Sequence, residues 1–139
     1  MTTEKLNSIK NLVTAYSLKS PCNEKKVGCV IIDPSDDSIL SFGANGNHTL
    51  DRCLCNGKDQ CMHAEVSAIC SALHCERSIR RFSLMCTNSP CTACASLIVR
   101  VGITTVYVLN TNSRTAGIEY LRENKVKVYI LSEQNNKQG

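Results

Sequence analysis

Leu6, Ile9, Val13 and Tyr16 recur at helical spacing near the start of the chain and predict a first helix over residues 4–18. The pattern then changes. Val27-Gly28-Cys29-Val30-Ile31-Ile32 is a short apolar run rich in β-branched residues, which reads as a buried strand. Asp33-Pro34-Ser35-Asp36-Asp37 is turn chemistry, and residues 38–42 return as a second strand. These two strands predict a hairpin.

A polar stretch from Gly43 to Met62 follows. A structureless loop of that length is uncommon in a small domain unless it has a task. Beyond it the apolar positions predict a helix over residues 64–75 and a strand over residues 82–87. Pro90 suits the first turn of a helix running to Val101. A β-branched strand over 104–109, a short helix over 115–123 and a last strand over 126–131 complete the order α-β-β-α-β-α-β-α-β. Strands that alternate with helices pair in parallel through right-handed crossovers. The expected fold is therefore α/β: a mixed five-stranded sheet, hairpin at one side, last strands parallel. One domain is expected over residues 1–132, with a polar tail over 133–139.

Composition narrows the class. At 139 residues with 42% apolar and 20% charged positions, the chain reads as an ordinary soluble domain. Its net charge is +4 and its sequence pI about 8.5. That balance suits a phosphorylated small molecule. Nucleic acid is disfavoured, since there is no run of like charges and the four tyrosines and two phenylalanines are scattered. The ten cysteines are the oddest feature. The Met1-Thr2-Thr3-Glu4-Lys5 start has no apolar signal region, so the reading is a reducing cytoplasm with thiols as metal ligands or small core residues. No apolar run reaches membrane-spanning length. Asn47-His48-Thr49 matches a glycosylation sequon, which has no meaning in that compartment.

The candidate chemistry lies at two predicted helix starts. His63-Ala64-Glu65 begins one, and Pro90-Cys91-Thr92-Ala93-Cys94 begins the other. Two cysteines spaced Cys-x-x-Cys at a helix start bring their sulfurs together beside free backbone N–H groups, which favour thiolates. With one histidine they make three protein ligands. Structural zinc takes four, whereas catalytic zinc keeps a position for water and lowers that water's pKa. Glu65, two residues past His63, can sit beside the water without binding the metal and shuttle protons as general base and acid. Each part alone is weak: a lone Cys-x-x-Cys also suits a redox pair, and a lone histidine is more often structural. Together, H-x-E with P-C-x-x-C is the signature of zinc nucleobase deaminases.

The chain resembles the cytidine deaminase superfamily, and within it most closely the deoxycytidylate (dCMP) deaminases, over roughly residues 20–131. Cys22-Asn23-Glu24-Lys25-Lys26-Val27-Gly28-Cys29-Val30-Ile31 is similar to that family's basic lead-in to a V-G-A-V-I strand. Gly43-Ala44-Asn45-Gly46 is similar to its G-Y-N-G element, with alanine in place of tyrosine. Ser89-Pro90-Cys91-Thr92-Ala93-Cys94-Ala95, followed by Gly102-Ile103, is similar to its zinc helix and next strand entry. The resemblance implies a three-layer α/β/α fold and zinc-dependent deamination of dCMP, with dCTP a further candidate, to supply dUMP for thymidylate synthesis. A zinc-activated hydroxide would attack C4 of cytosine. It implies that Asn45 contacts the sugar or base and that the backbone at Ala64 and Ser89 holds the pyrimidine edge. It also implies a homo-oligomer, a hexamer in many relatives, with dCTP and dTTP as effectors. Small versions occur in phages, so the host cytoplasm is a further expected location. The tyrosine-to-alanine change and the divergent loop over residues 47–62 depart from the pattern at the effector region.

Cys53, Cys55 and Cys61 in the long loop, with Cys22 before the first strand, could form a closed structural zinc site, with His48 a weaker ligand. Unpaired loop thiols are the plainer reading. Cys29, Cys70, Cys75 and Cys86 fall in helix or strand patterns and read as core filler, and His74 as a surface or capping residue. Lys25, Lys26 and Arg114 sit in loops at the sheet edge where α/β folds bind ligands, and are candidates for a substrate phosphate. Solvated surface charge is the alternative for each. Competing functions are a polynucleotide-editing deaminase acting on tRNA, a nucleoside or riboflavin-pathway deaminase, and a non-catalytic zinc module. The last has no use for Glu65 beside a ligand.

Overall fold

The computed structural model describes residues 1–22, 25–46, 62–111 and 114–131. Helix α1 (Thr3–Ser17) is capped by Thr2, whose hydroxyl accepts from the Lys5 N–H at 3.1 Å. Strands β1 (Gly28–Asp33) and β2 (Ser38–Ala44) form the expected hairpin, with a register shift between Ile31 and Ile32. Then come α2 (Ala64–Cys75), β3 (Ser83–Asn88), α3 (Thr92–Arg100), β4 (Thr105–Asn110), α4 (Ala116–Glu123) and β5 (Lys127–Ile130).

The sheet order is β2-β1-β3-β4-β5. β1 is antiparallel to both β2 and β3, while β3, β4 and β5 are parallel. Four strands therefore run one way and β1 alone opposes them. The carboxyl ends of β2, β3 and β4 share one edge with the start of β1. That edge receives the amino ends of α2 and α3.

The apolar residues separate by face. Ile9 and Val13 of α1 pack with Val30, Ile32 and Met85 on one side. Cys29, Ile31, Leu84, Cys86 and Val106 pack under Ala68, Ile69, Ile98 and Leu121 on the other. The result is three layers, α1 on one face and α2, α3 and α4 on the opposite one. Several expectations shift. Pro90 lies outside α3, which Cys91 caps instead, because the Cys91 sulfur accepts from the Cys94 N–H at 3.4 Å. Cys70 and Cys75 are exposed on the outer side of α2 rather than core filler, whereas Cys29 and Cys86 are fully buried. No helix among the described residues is long and apolar enough to cross a membrane.

Candidate active site

Close backbone packing sets the position of α2. A Cβ on Gly43 of β2 would overlap the Ala64 carbonyl and the Ala68 N–H, so only glycine lets the helix lie this near the strand. Ser41 Oγ adds a buried bond of 2.7 Å to the Ala68 carbonyl. The amino end of α2 is thereby held at the carboxyl end of β2. Gly117 of α4 plays the same part for the segment entering α3, since a Cβ there would strike the Pro90 carbonyl.

His63 is the residue that caps α2, in extended conformation, and Cys91 is its counterpart on α3. The His63 Nδ1 lies 3.2 Å from Cys94 Sγ and 3.5 Å from Cys91 Sγ. The three ligand atoms all fall within 4.8 Å of one another. Zinc bonds of about 2.0–2.3 Å place tetrahedral ligand atoms ~3.6 Å apart, so the trio has the spacing of three corners of such a site. The donor set fits as well. Burial first, and then the Glu65 carboxylate, push the Cys94 thiol far above its ordinary range. A thiolate at that place needs a cation beside it.

Glu65 stands in the first turn of α2 and is 4% exposed. Burial raises its carboxyl to about 7, against smaller opposing effects from its own backbone N–H and from Lys25. A carboxyl of that affinity can both take and give a proton near neutral pH.

The remaining candidates have different surroundings. Ala64 is buried at the head of α2 and Ser89 ends the approach to Pro90. The Asn45 side chain is occupied by the backbone: its Oδ1 accepts from the Val27 N–H and its Nδ2 donates to the Lys25 carbonyl, each at 2.8 Å. Its own carbonyl accepts from Ser20 Oγ at 2.8 Å. Asn45 thus fastens the lead-in segment that carries both lysines. Lys26 donates its ammonium to the Ser20 carbonyl, which ties it down. Lys25 is exposed, and its charge reaches Glu65. Arg114 is exposed just ahead of α4. Sequence reading gave Lys25 and Lys26 equal weight, because only the folded lead-in separates them. It also passed over Thr87 and Asn88, which are joined by a side-chain bond of 2.9 Å at the carboxyl end of β3.

Of the proposed second cluster, Cys22 is buried, while Cys53, Cys55, Cys61 and His48 lie outside the described residues, as does the tail over 133–139. Gly46 and Met62 pair in an antiparallel bridge, with the Gly46 N–H donating to the Met62 carbonyl at 2.9 Å. Met62 directly precedes His63, so this bridge also anchors the segment that carries His63.

Residues 3–110 match the family model of the cytidine and deoxycytidylate deaminase zinc-binding region. A deoxycytidylate deaminase of Saccharomyces cerevisiae is 31% identical over 109 residues, covering 68% of this chain and 34% of the yeast protein. The chain thus spans about a third of that relative's length. The dCMP deaminase of cyanophage S-TIM5, in its apo form, superposes with a TM-score of 0.83 at 30% identity, covering 94% of this chain and 99% of the phage chain. The same phage enzyme in complex with dCMP and dUMP gives a TM-score of 0.85 at 29% identity, over 94% and 98% of the two chains. With the matched zinc-binding region, the phage likeness over nearly the whole length and the His63, Cys91 and Cys94 trio, the chain belongs to the cytidine and deoxycytidylate deaminase family.

Proposed function

We propose that this protein hydrolyses dCMP to dUMP and ammonia, with dCTP as a second candidate substrate. The observation that carries the reading is a buried glutamate, Glu65, two residues beyond the histidine of a His-Cys-Cys trio. The family match and the phage enzyme seen with dCMP and dUMP support the substrate class.

In this reading His63, Cys91 and Cys94 hold one zinc ion. Zinc bound there would supply a Lewis acid that makes water a nucleophile near neutral pH. Glu65 accepts the proton released from water and delivers protons to pyrimidine N3 and to the departing 4-amino group. The balance is one water consumed, one ammonia released, and C4–NH2 exchanged for C4=O. The backbone at Ala64 and Ser89 borders the pyrimidine edge. Asn45 serves that geometry by fastening the lead-in segment, and on the family resemblance it also contacts the sugar or base. Lys25 and Arg114 take the 5′-phosphate.

The reading extends to a homo-oligomer, a hexamer, with dCTP and dTTP as effectors, and to a cytoplasmic location or a host cytoplasm. A second zinc on Cys22, Cys53, Cys55 and Cys61 is a further candidate, with unpaired loop thiols the plainer alternative. Family resemblance is what supports these parts. The test is to incubate purified protein with dCMP, dCTP, CMP, deoxycytidine and a tRNA stem-loop and to follow ammonia release. Turnover of dCMP well above deoxycytidine is expected. Activity on the stem-loop only would replace this reading with an editing deaminase, and no activity with zinc bound would point to a non-catalytic zinc module.

A further inference from the structure

Beside the ligand trio lie two polar side chains whose hydrogen-bonding capacity the protein does not fill. Ser89 Oγ is the one buried side-chain N or O atom without a hydrogen-bond partner among the described residues. Its neighbour Asn88 is half-buried at the last position of β3. Buried polar atoms in native proteins rarely lack a partner, so the Ser89 hydroxyl calls for a ligand, and the half-buried Asn88 next to it has donors to offer the same ligand.

The orientation of Asn88 follows from a chain of bonds. Thr87 Oγ1 accepts from the Gly28 backbone N–H at 3.0 Å and donates to Asn88 Oδ1 at 2.9 Å. The hydroxyl proton of Thr87 is directed at the Asn88 amide oxygen. The amide oxygen therefore faces Thr87 and the NH2 faces away from it. No acceptor among the described residues meets that NH2.

Its location follows from the strand. Alternation puts Asn88 on the face of Leu84 and Cys86, which α2 and α3 cover, whereas Met85 faces α1. Cys86 is fully buried there, and after burial itself the charges of Glu65 and Cys94 act on its thiol. Asn88 is the next residue on that face toward the carboxyl edge, where the amino ends of α2 and α3 meet, and it pairs across the ladder with Asn110.

We propose that Asn88, with the Ser89 hydroxyl beside it, orients the substrate by donating its side-chain NH2 to an oxygen of the bound nucleotide. The acceptor is the pyrimidine 2-oxo group or a sugar-phosphate oxygen, and Thr87 is a positioning residue that acts through Asn88. The inference rests on the nucleotide-deaminase reading above.

The test uses the full chain loaded with zinc. Asn88→Asp keeps an acceptor for Thr87 but removes both donors, and Asn88→Ala removes the group without adding charge. Each is made in the wild type for kinetics and in a Glu65→Gln background, which turns the ligand over far more slowly, for calorimetric titration with dCMP and deoxycytidine. Zinc content and melting temperature check the fold. Both variants are expected to raise KM and Kd for dCMP by about tenfold, with kcat within about threefold of the parent. A merely structural role would not produce that split. Loss confined to dCMP assigns the acceptor to the phosphate, and equal loss on deoxycytidine assigns it to the base or sugar. Ser89→Ala should move the same parameters in the same direction. If the parent deaminates dCMP and both Asn88 variants bind it as tightly as the parent, the inference is wrong and the function stands. A parent that neither binds nor deaminates cytosine nucleotides overturns both.

Discussion

His63 Nδ1 and Cys94 Sγ lie 3.2 Å apart although 31 positions separate them in the chain. Two crossings of the sheet make that approach possible. α2 is pressed onto β2 at Gly43, and β3 delivers the chain back to the same edge before Cys91. The pair is a pure product of topology, and with Cys91 it forms a trio whose ligand atoms lie within 4.8 Å of one another, close enough to hold a metal ion.

Removing one ligand should therefore remove the ion. Cys94→Ser is expected to lower bound zinc by about one equivalent relative to the parent and to reduce thermal stability, since metal binding is coupled to the folded state. Metal analysis after gel filtration gives the count. Retention of the full zinc content in this variant would exclude Cys94 as a ligand.

Glu65→Gln separates metal binding from proton transfer. The variant should keep its zinc and lose activity by roughly 10²–10⁴-fold, the range for a general acid–base group. Loss of zinc together with activity would instead place Glu65 on the metal.

The same residue sets a pH dependence in the metal-free protein. The folded carboxyl is raised from 4.5 to about 7 by burial. Below about pH 4.5 both folded and unfolded states hold the proton, and Glu65 makes no difference. Between that value and about 7 the unfolded chain releases its proton while the folded one keeps it. Stability must then fall as pH rises, by up to about 3 kcal/mol at the top of the window. Urea denaturation of chelator-treated protein across this range should show the decline, and Glu65→Gln should flatten it. A parent profile that does not differ from the variant's would mean that the buried carboxyl is solvated in the metal-free state.

Much of this was legible in the sequence. The order of elements followed from apolar spacing, and the trio with Glu65 followed from His-x-Glu and Pro-Cys-x-x-Cys at two helix starts. What escaped was long-range. Nothing local says that Cys70 and Cys75 face outward, because α2 carries alanines on its buried side and its apolar stripe is weak. Pro90 suits a first helical turn, but the Cys91 sulfur takes the capping position and moves the start forward. Asn45 is expected at the substrate from the resemblance of Gly43-Ala44-Asn45-Gly46 to a family element, and nothing local shows that its side chain also holds backbone groups 18 and 20 residues away.

Gly43→Ala tests how α2 is seated. The added methyl would meet backbone at Ala64 and Ala68, which cannot swing aside as a side chain can. The helix must shift, at a cost of about 1–3 kcal/mol for overpacking. Because His63 and Glu65 ride on that end of the helix, zinc affinity and turnover should fall with stability. Full activity and an unchanged melting temperature would mean that α2 tolerates the shift and that Gly43 is not what seats the site.

Lys25 and Lys26 are adjacent and chemically alike, yet their surroundings assign them different work. Lys26 gives one of its three ammonium N–H groups to the Ser20 carbonyl, which helps hold the lead-in against the Asn45 node. Lys25 has its carbonyl held by Asn45 while its side chain stays exposed on the side that Glu65 senses. A charge-assisted bond to a phosphate contributes roughly 1.5–3 kcal/mol, or a factor of about ten to a hundred or more in kcat/KM. Lys25→Glu should lower kcat/KM for dCMP by at least that factor and leave the slower deoxycytidine reaction nearly unchanged. Lys26→Glu should instead lower the melting temperature and affect both substrates alike. Steady-state kinetics on the two substrates, with melting curves alongside, decides the matter. A reversed pattern, with Lys26 selective for the nucleotide, would show that its ammonium leaves Ser20 when the phosphate arrives.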